Sequence, residues 1–183
     1  SDANGNQTRY DYNASGDLTS IVYSGGGATD QYGYDAAGNP TSWTTRNGQQ
    51  IQYLYDAAGR ITQKTYGDGT HVDYLYGTRG NLIETDDDSG NTRYTYDGND
   101  YLTRIDYPGG QWLAFTYDAE GKRASSLDQT GHLLVYHYDG LDRLSRMEDE
   151  GGTSIVLYEY DAVGRLSRKS LGNGVFTTYQ YDG

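Results

Sequence analysis

The 183-residue sequence has no cysteine, two prolines, one methionine and three histidines. Without a thiol there is no disulfide framework, no thiolate metal site and no cysteine nucleophile, and the redox compartment is left open. No apolar run approaches the roughly 20 residues of a membrane-spanning helix. No membrane insertion is therefore expected, and although the opening SDANGNQTRY is not a signal peptide, that says little for a chain that reads as cut at both ends. Basic residues are also scarce, with 14 Lys and Arg against 26 Asp and Glu, for a net charge of −12. A chain this acidic repels phosphate backbones and anionic lipid surfaces, so nucleic acid is excluded as a partner. Long helical periodicity is missing, and there is no GxSxG elbow, phosphate-binding loop or Cys/His pair. The chain reads as a non-enzyme that calls for no cofactor.

What the chain does contain is tyrosine and glycine, 21 and 26 residues respectively. Their distribution is periodic. YDYNASGDL from Tyr10, YGYDAAGNP from Tyr32, YLYDAAGRI from Tyr53, YLYGTRGNL from Tyr74 and YTYDGNDYL from Tyr94 are edits of one refrain. FTYDAEGKR from Phe115, YHYDGLDRL from Tyr136, YEYDAVGRL from Tyr158 and YQYDG from Tyr179 complete the series. Successive copies start 20 to 22 residues apart, which is the signature of a repeat array. Two aromatic positions per copy absorb 17 of the 21 tyrosines plus Phe115. A hydrophobic fraction of 34%, against the usual 45 to 50% or so, points to a thin core held by unit-on-unit packing.

Within a copy, tyrosines at i and i+2 share one face of a strand, as Tyr53 with Tyr55 and Tyr158 with Tyr160. Asp56 or Asp161 then opens a turn by accepting backbone N–H groups one to three residues on. Gly59 or Gly164 supplies positive φ. A following Leu or Ile, as Leu18, Ile61, Leu82, Leu102, Leu144 and Leu166, restarts a strand against those tyrosines. A second glycine turn falls midway: the triple glycine from Gly25, Asn47-Gly48, Gly67 to Gly69, Ser89-Gly90, Pro108 to Gly110, Thr130-Gly131, Glu150 to Gly152 and Gly172 to Gly174. Two turns per period give two strands of about five or six residues each. The expected fold is all-β: tandem hairpin repeats over 1–183 forming one continuous, curled antiparallel sheet of about 17 strands. The curl would wind into a spiral wall; a β-propeller with two repeats per blade is the alternative. The turn-like DANGN at 2–6 and the refrain broken at Asp182 and Gly183 suggest a piece excised from a longer array.

The refrain YxYDxxGRL at this period resembles the YD repeat of the Rhs family, found in bacterial polymorphic and insecticidal toxins, wall-associated proteins and animal teneurins. The resemblance covers essentially the whole chain. It implies a segment of a hollow β-shell that encloses or displays another polypeptide of the same protein, secreted or at the bacterial cell surface. It also implies carbohydrate binding as a competing role. Gly77 stands where the pattern has Asp, and Asp100 and Asp142 where it has Gly, which weakens the turns expected there. The C-terminal region with which toxin shells self-cleave is not represented, so no autoproteolysis is expected.

Candidate sites follow from the residues left over. The refrain tyrosines are best read as the packed face. The off-motif aromatics Tyr23, Trp43, Tyr66, Tyr101, Tyr107 and Trp112 are the candidates for a polysaccharide-binding ladder. The recurring Asp35, Asp56, Asp97, Asp118, Asp139, Asp161 and Asp182 are turn caps rather than glycosidase acids, because a catalytic pair needs two unlike environments. Asp86 and Asp88 before Ser89-Gly90-Asn91 have a weak calcium-loop spacing without the closing Glu. His71, His132 and His137 are too scattered for zinc. Raw sheet edges predict self-association.

Overall fold

The computed structural model describes residues 7–24 and 29–182. The DANGN opening, the triple glycine from Gly25 and the final Gly183 lie outside the described residues. The chain divides into two compact units, residues 1–91 and 92–183. In the first run β1 (Arg9–Tyr12), β2 (Leu18–Val22), β3 (Thr29–Tyr34), β4 (Pro40–Thr44), β5 (Gln50–Tyr55), β6 (Ile61–Tyr66), β7 (His71–Tyr76) and β8 (Leu82–Asp87). Each pairs antiparallel with the next. The second holds β9 (Gly90–Tyr96), which starts just ahead of the boundary, then β10 (Leu102–Asp106), β11 (Trp112–Tyr117) and β12 (Arg123–Asp128). It continues through β13 (Leu133–Tyr138), β14 (Leu144–Asp149), β15 (Ser154–Tyr160), β16 (Leu166–Leu171) and β17 (Phe176–Thr178). These too pair in sequence order, and one 3₁₀ turn at Pro108–Gly110 is the sole helical element described.

The hairpin meander is therefore the expected one. Its ladder is unbroken inside each unit, so the four-strand blades of a propeller do not form. Neither unit curls shut on itself.

Most of the described corners share one construction. At the corner after β5, Asp56 N–H donates to the Arg60 carbonyl (2.9 Å) and Gly59 N–H to the Asp56 carbonyl (3.0 Å). This is a type I turn followed by a left-handed residue, whose twist suits a three-residue hairpin loop. The left-handed position is Gly59 (φ 75°) here and Gly164 (φ 86°) after β15. Asp100 and Asp142 take it at φ 66° and 63°, conformations that a short polar side chain tolerates better than most. Their corners close like the others, and so does the one at Gly77, through its N–H to the Asn81 carbonyl (2.9 Å). The three departures from the refrain thus leave the turns intact.

Each sheet has two unlike faces. Register sets the first aromatic of a repeat across from the strand that returns, for example Tyr53 opposite Lys64 and Phe115 opposite Ser126. On this tyrosine face lie the least exposed described side chains: Val156 (5%), Phe115, Asp30 and Ser126. The other face carries Gln52, Leu54, Gln63, Asp73 and Leu75 in the first unit, with Arg104, Asp106, Arg146 and Glu148 in the second. No described side chain is fully buried, because a single layer has no second layer to cover it.

The repeat interface as candidate functional site

Between the last two residues of each YxY strand the register slips by one, so the returning strand carries an extra residue there. The extra residues include Thr19, Thr41, Thr62, Thr103, Ser145 and Ser167. Such bulges bend the strand and leave main-chain groups off the ladder. Small hydroxyl side chains meet the freed groups: Thr19 Oγ1 donates to the Asp11 carbonyl (3.1 Å) and Ser145 Oγ to the His137 carbonyl (3.1 Å).

The same slip serves the second tyrosine, whose hydroxyl donates to a carbonyl of the preceding repeat. In the first unit Tyr34 reaches Leu18 (2.9 Å), Tyr55 reaches Pro40 (2.6 Å) and Tyr76 reaches Ile61 (2.9 Å). In the second, Tyr117, Tyr138, Tyr160 and Tyr181 reach Leu102, Arg123, Leu144 and Leu166 at 2.7 to 3.0 Å. The acceptor is always the first residue after the preceding corner.

The residue that ends a corner covers that same tyrosine. Arg60 lies 4.4 Å from the centre of the Tyr76 ring, Arg143 4.2 Å from Tyr160 and Arg165 4.6 Å from Tyr181. Each guanidinium also pairs with its own corner carboxylate, as Arg143 with Asp139 at 2.6 Å and Arg165 with Asp161 at 2.8 Å. Lys122 over Tyr138, and Tyr101 stacked on Tyr117 at 4.9 Å, do the same with other chemistry. The arginine of the refrain therefore joins a turn to the next repeat. This role escaped the sequence reading, although Arg before Leu or Ile in YLYDAAGRI and YEYDAVGRL was its visible trace.

The corner aspartates are caps, as expected, but they reach two and four residues on rather than one to three. Asp56 Oδ1 accepts Ala58 N–H (2.9 Å) and Arg60 N–H (3.0 Å), and Asp161 serves Val163 and Arg165. Hydrogen bonds from the Arg143 side chain and backbone hold the Asp139 carboxyl down to about 2. The Thr130 hydroxyl and the turn N–H groups hold Asp128 at about 2 as well. Asn13 does this work in the first repeat. The acidic excess is thus largely spent on turns along the strand ends.

The six off-motif aromatics do not form one ladder. Tyr23 donates to buried Asp30 (2.8 Å) beneath Arg46. Trp43 stacks parallel on Tyr32 with ring centres 6.3 Å apart, and its Nε1–H has no partner. Tyr66 lies beside Lys64 Nζ (5.1 Å). Trp112 is on the face opposite Phe115, under Arg104 (4.3 Å), while Tyr101 packs on Tyr117 and Tyr107 heads the Pro108–Gly110 corner. Of the six, Trp43 and Tyr66 line one groove of about 790 Å³. Asp86 faces Asp73 across the strand pair, and no group of three or more His, Asp or Glu able to hold a metal gathers among the described residues. His71, His132 and His137 pair separately with Asp73, Asp128 and Glu148.

Residues 2–167 match the sequence model of the family described as Teneurin YD-shell. No curated protein matches the chain. Among solved structures it is similar to TcdB2-TccC3-TEV, with TM-score 0.73 and 17% identity over 98% of this chain and 11% of that one. TcdB2-TccC3 gives 0.62 and 17% over 96% and 12%. A Tc holotoxin pore of Photorhabdus luminescens with a mutated TccC3 gives 0.61 and 16% over 93% and 12%. At these identities the likeness is one of fold, and the chain spans only 11 to 12% of the length of those chains.

Proposed function

This chain belongs to the Teneurin YD-shell family, and from that premise we propose that its repeats are wall for a compartment that encloses or displays another polypeptide of the same protein, secreted or at the cell surface. It is a structural shell segment, which suggests a protein without catalysis of its own. The observation that supports containment is the single layer. Apart from Phe115 and Val156 no described hydrophobic side chain is buried, so both faces are finished as surfaces rather than as halves of a core. Repeat-to-repeat hydrogen bonds, not a second layer, make such a sheet rigid. Mid-strand acids such as Asp73, Asp106, Glu148 and Glu159 lie on the other face, so the tyrosine face, lined by rings and poor in acids, suits a polypeptide with exposed apolar groups.

The absence of cysteine makes the test direct. In the longer protein, single Leu54→Cys and Leu75→Cys report one face, and Thr85→Cys the other. A bulky maleimide is expected to label one face and spare the other until the shell is opened by denaturant. Equal labelling of both faces in the native assembly would sink containment. The isolated chain presents β1 and β17 as edges without a described partner strand, and concentration-dependent association in sedimentation velocity is the expected result.

A further inference from the structure

We propose that Lys64, together with the hydroxyls of Tyr53, Tyr66 and Tyr74, is an anchoring site for a carboxylate carried by an acidic polypeptide segment lying on the tyrosine face. The inference rests on the reading of that face as the side turned toward another polypeptide, and it names the chemistry that this part of the face selects. Register places Lys64 of β6 between Tyr53 of β5 and Val72 of β7. Tyr66 and Tyr74 follow Lys64 and Val72 two residues on, so all of them lie on one face. The Lys64 Nζ is 5.1 Å from the centre of the Tyr66 ring and 6.0 Å from that of Tyr53.

This ammonium lacks the partner that comparable cations have. Arg60, Arg143 and Arg165 pair with their corner carboxylates and Lys122 with Asp142, whereas Lys64 has no carboxylate partner among the described residues. None is within its strands: β5 and β6 contain no acid, and the one acid of β7, Asp73, accepts from Gln63 (2.7 Å) on the other face. Ring faces offer a cation only part of what an anion supplies. Nor does packing call for a lysine, since Trp43, Thr85, Ser126 and Met147 take the same place opposite the first aromatic of other repeats. The nearby Tyr66 hydroxyl pushes Lys64 above its ordinary value while burial works against it, so the group is charged at neutral pH.

The hydroxyls complete the site. Second tyrosines spend theirs on carbonyls, as Tyr55 on Pro40 and Tyr76 on Ile61, but those of Tyr53, Tyr66 and Tyr74 meet no acceptor among the described residues. An ammonium has donors only, and three unspent O–H groups beside it add more. Such a group of donors selects a ligand that only accepts, and charge-assisted bonds of this kind are the strong ones. Ile51 and Val72, opposite Tyr66 and Lys64, are apolar, so the matching segment has its acid flanked by apolar residues.

The chain has three lysines, Lys64, Lys122 and Lys169. With isotope-labelled lysine the full chain gives one ε-methylene NMR signal for each, assigned by replacing each lysine with arginine. Acetyl-Leu-Glu-Leu-amide, its Gln counterpart and inorganic phosphate are titrated at about 0.15 M salt, where a Debye length of about 8 Å screens the corner acids. The Glu peptide should move the Lys64 signal saturably in the millimolar range and leave Lys122, already paired, in place. Lys169 has Tyr158 at the same 6.0 Å but Leu171 where Lys64 has Tyr66, so it should respond more weakly. Tyr66→Phe and Tyr74→Phe each keep the ring and should weaken binding about tenfold with unchanged circular dichroism. Tyr55→Phe, whose hydroxyl is already engaged, should not. No saturable shift with the Glu peptide overturns the proposal, as does an equal shift with the Gln peptide, an equal response of Lys122, or full affinity in both Tyr66→Phe and Tyr74→Phe. Tighter binding of phosphate overturns the assignment to a carboxylate. None of these readings depends on which face the longer protein shields, so the site stands or fails apart from the maleimide labelling that tests containment.

Discussion

Replacing Tyr160 by Phe removes one oxygen and nothing else from the repeat interface. That hydroxyl donates to the Leu144 carbonyl at 2.8 Å in a part-buried setting, and the ring stays under Arg143. A net hydrogen bond contributes about 1 kcal/mol, and the carbonyl left behind is partly shielded from water, so the expected loss is about 1–1.5 kcal/mol. For a chain of this length that lowers the melting midpoint by roughly 2–6 °C. Tyr158→Phe is the matched control, because the Tyr158 hydroxyl has no hydrogen bond among the described residues while its ring keeps Lys169 6.0 Å away. It should change stability by less than about 0.5 kcal/mol. Urea unfolding with a common m-value reads both, and an unchanged m shows that the same surface unfolds. Tyr117→Phe, two repeats away, should add to Tyr160→Phe, since the two share no partner. Equal midpoints for Tyr160→Phe and Tyr158→Phe would refute the claim that the hydroxyl bond joins successive repeats.

Other outcomes follow from the same geometry. Asp142→Gly relieves a left-handed backbone at φ 63° but loses the exposed Lys122 pair, so thermal unfolding should show a gain of about 0.5 kcal/mol; a loss would count against strain at that corner. Arg143→Ala should cost about 1–2 kcal/mol, more than Arg165→Ala at the less covered end, by the same melts, because the guanidinium serves both the corner and the Tyr160 ring. The Asp128 and Asp139 carboxyls lie at about 2 in the folded chain against 3.8 as the ordinary value. Their contribution is therefore complete above about pH 4 and is lost as pH falls from 3.8 toward 2. Melting points taken from pH 5 to pH 2 should drop across that window, and Asp139→Asn should flatten part of the drop. Trp43→Phe removes a buried N–H without a partner, so its unfolding midpoint should hold or rise despite the smaller ring.

The hairpin array was legible in the order of residues because its rules are local. Two-residue alternation assigns Tyr53 and Tyr55 to one face, an Asp five residues before a strand caps a turn, and a glycine supplies the left-handed step, all within a dozen positions. Even so, Asp100 and Asp142 show that a corner framed by paired strands holds its shape without glycine. Strand pairing decides the conformation, and the side chain only alters its cost. The capping reach of Asp56 and the bulge at Thr62 depend on how two strands meet, so a linear pattern marked their position without revealing their geometry.

What joins the repeats was beyond the sequence alone. Tyr76 and Ile61 are 15 residues apart, and nothing in either residue says that a hydroxyl of one meets a carbonyl of the other. The same holds for Arg60 under Tyr76, and for Trp43 and Tyr66, two off-motif aromatics among six that register alone brings to one groove while it sends Trp112 to the other face of its sheet. Composition and period determined that the chain is a wall of tyrosine-faced hairpins. Which residues bind one hairpin to the next, and which two rings share a groove, was decided by strand register, because a shift of one residue moves every side chain to the opposite face.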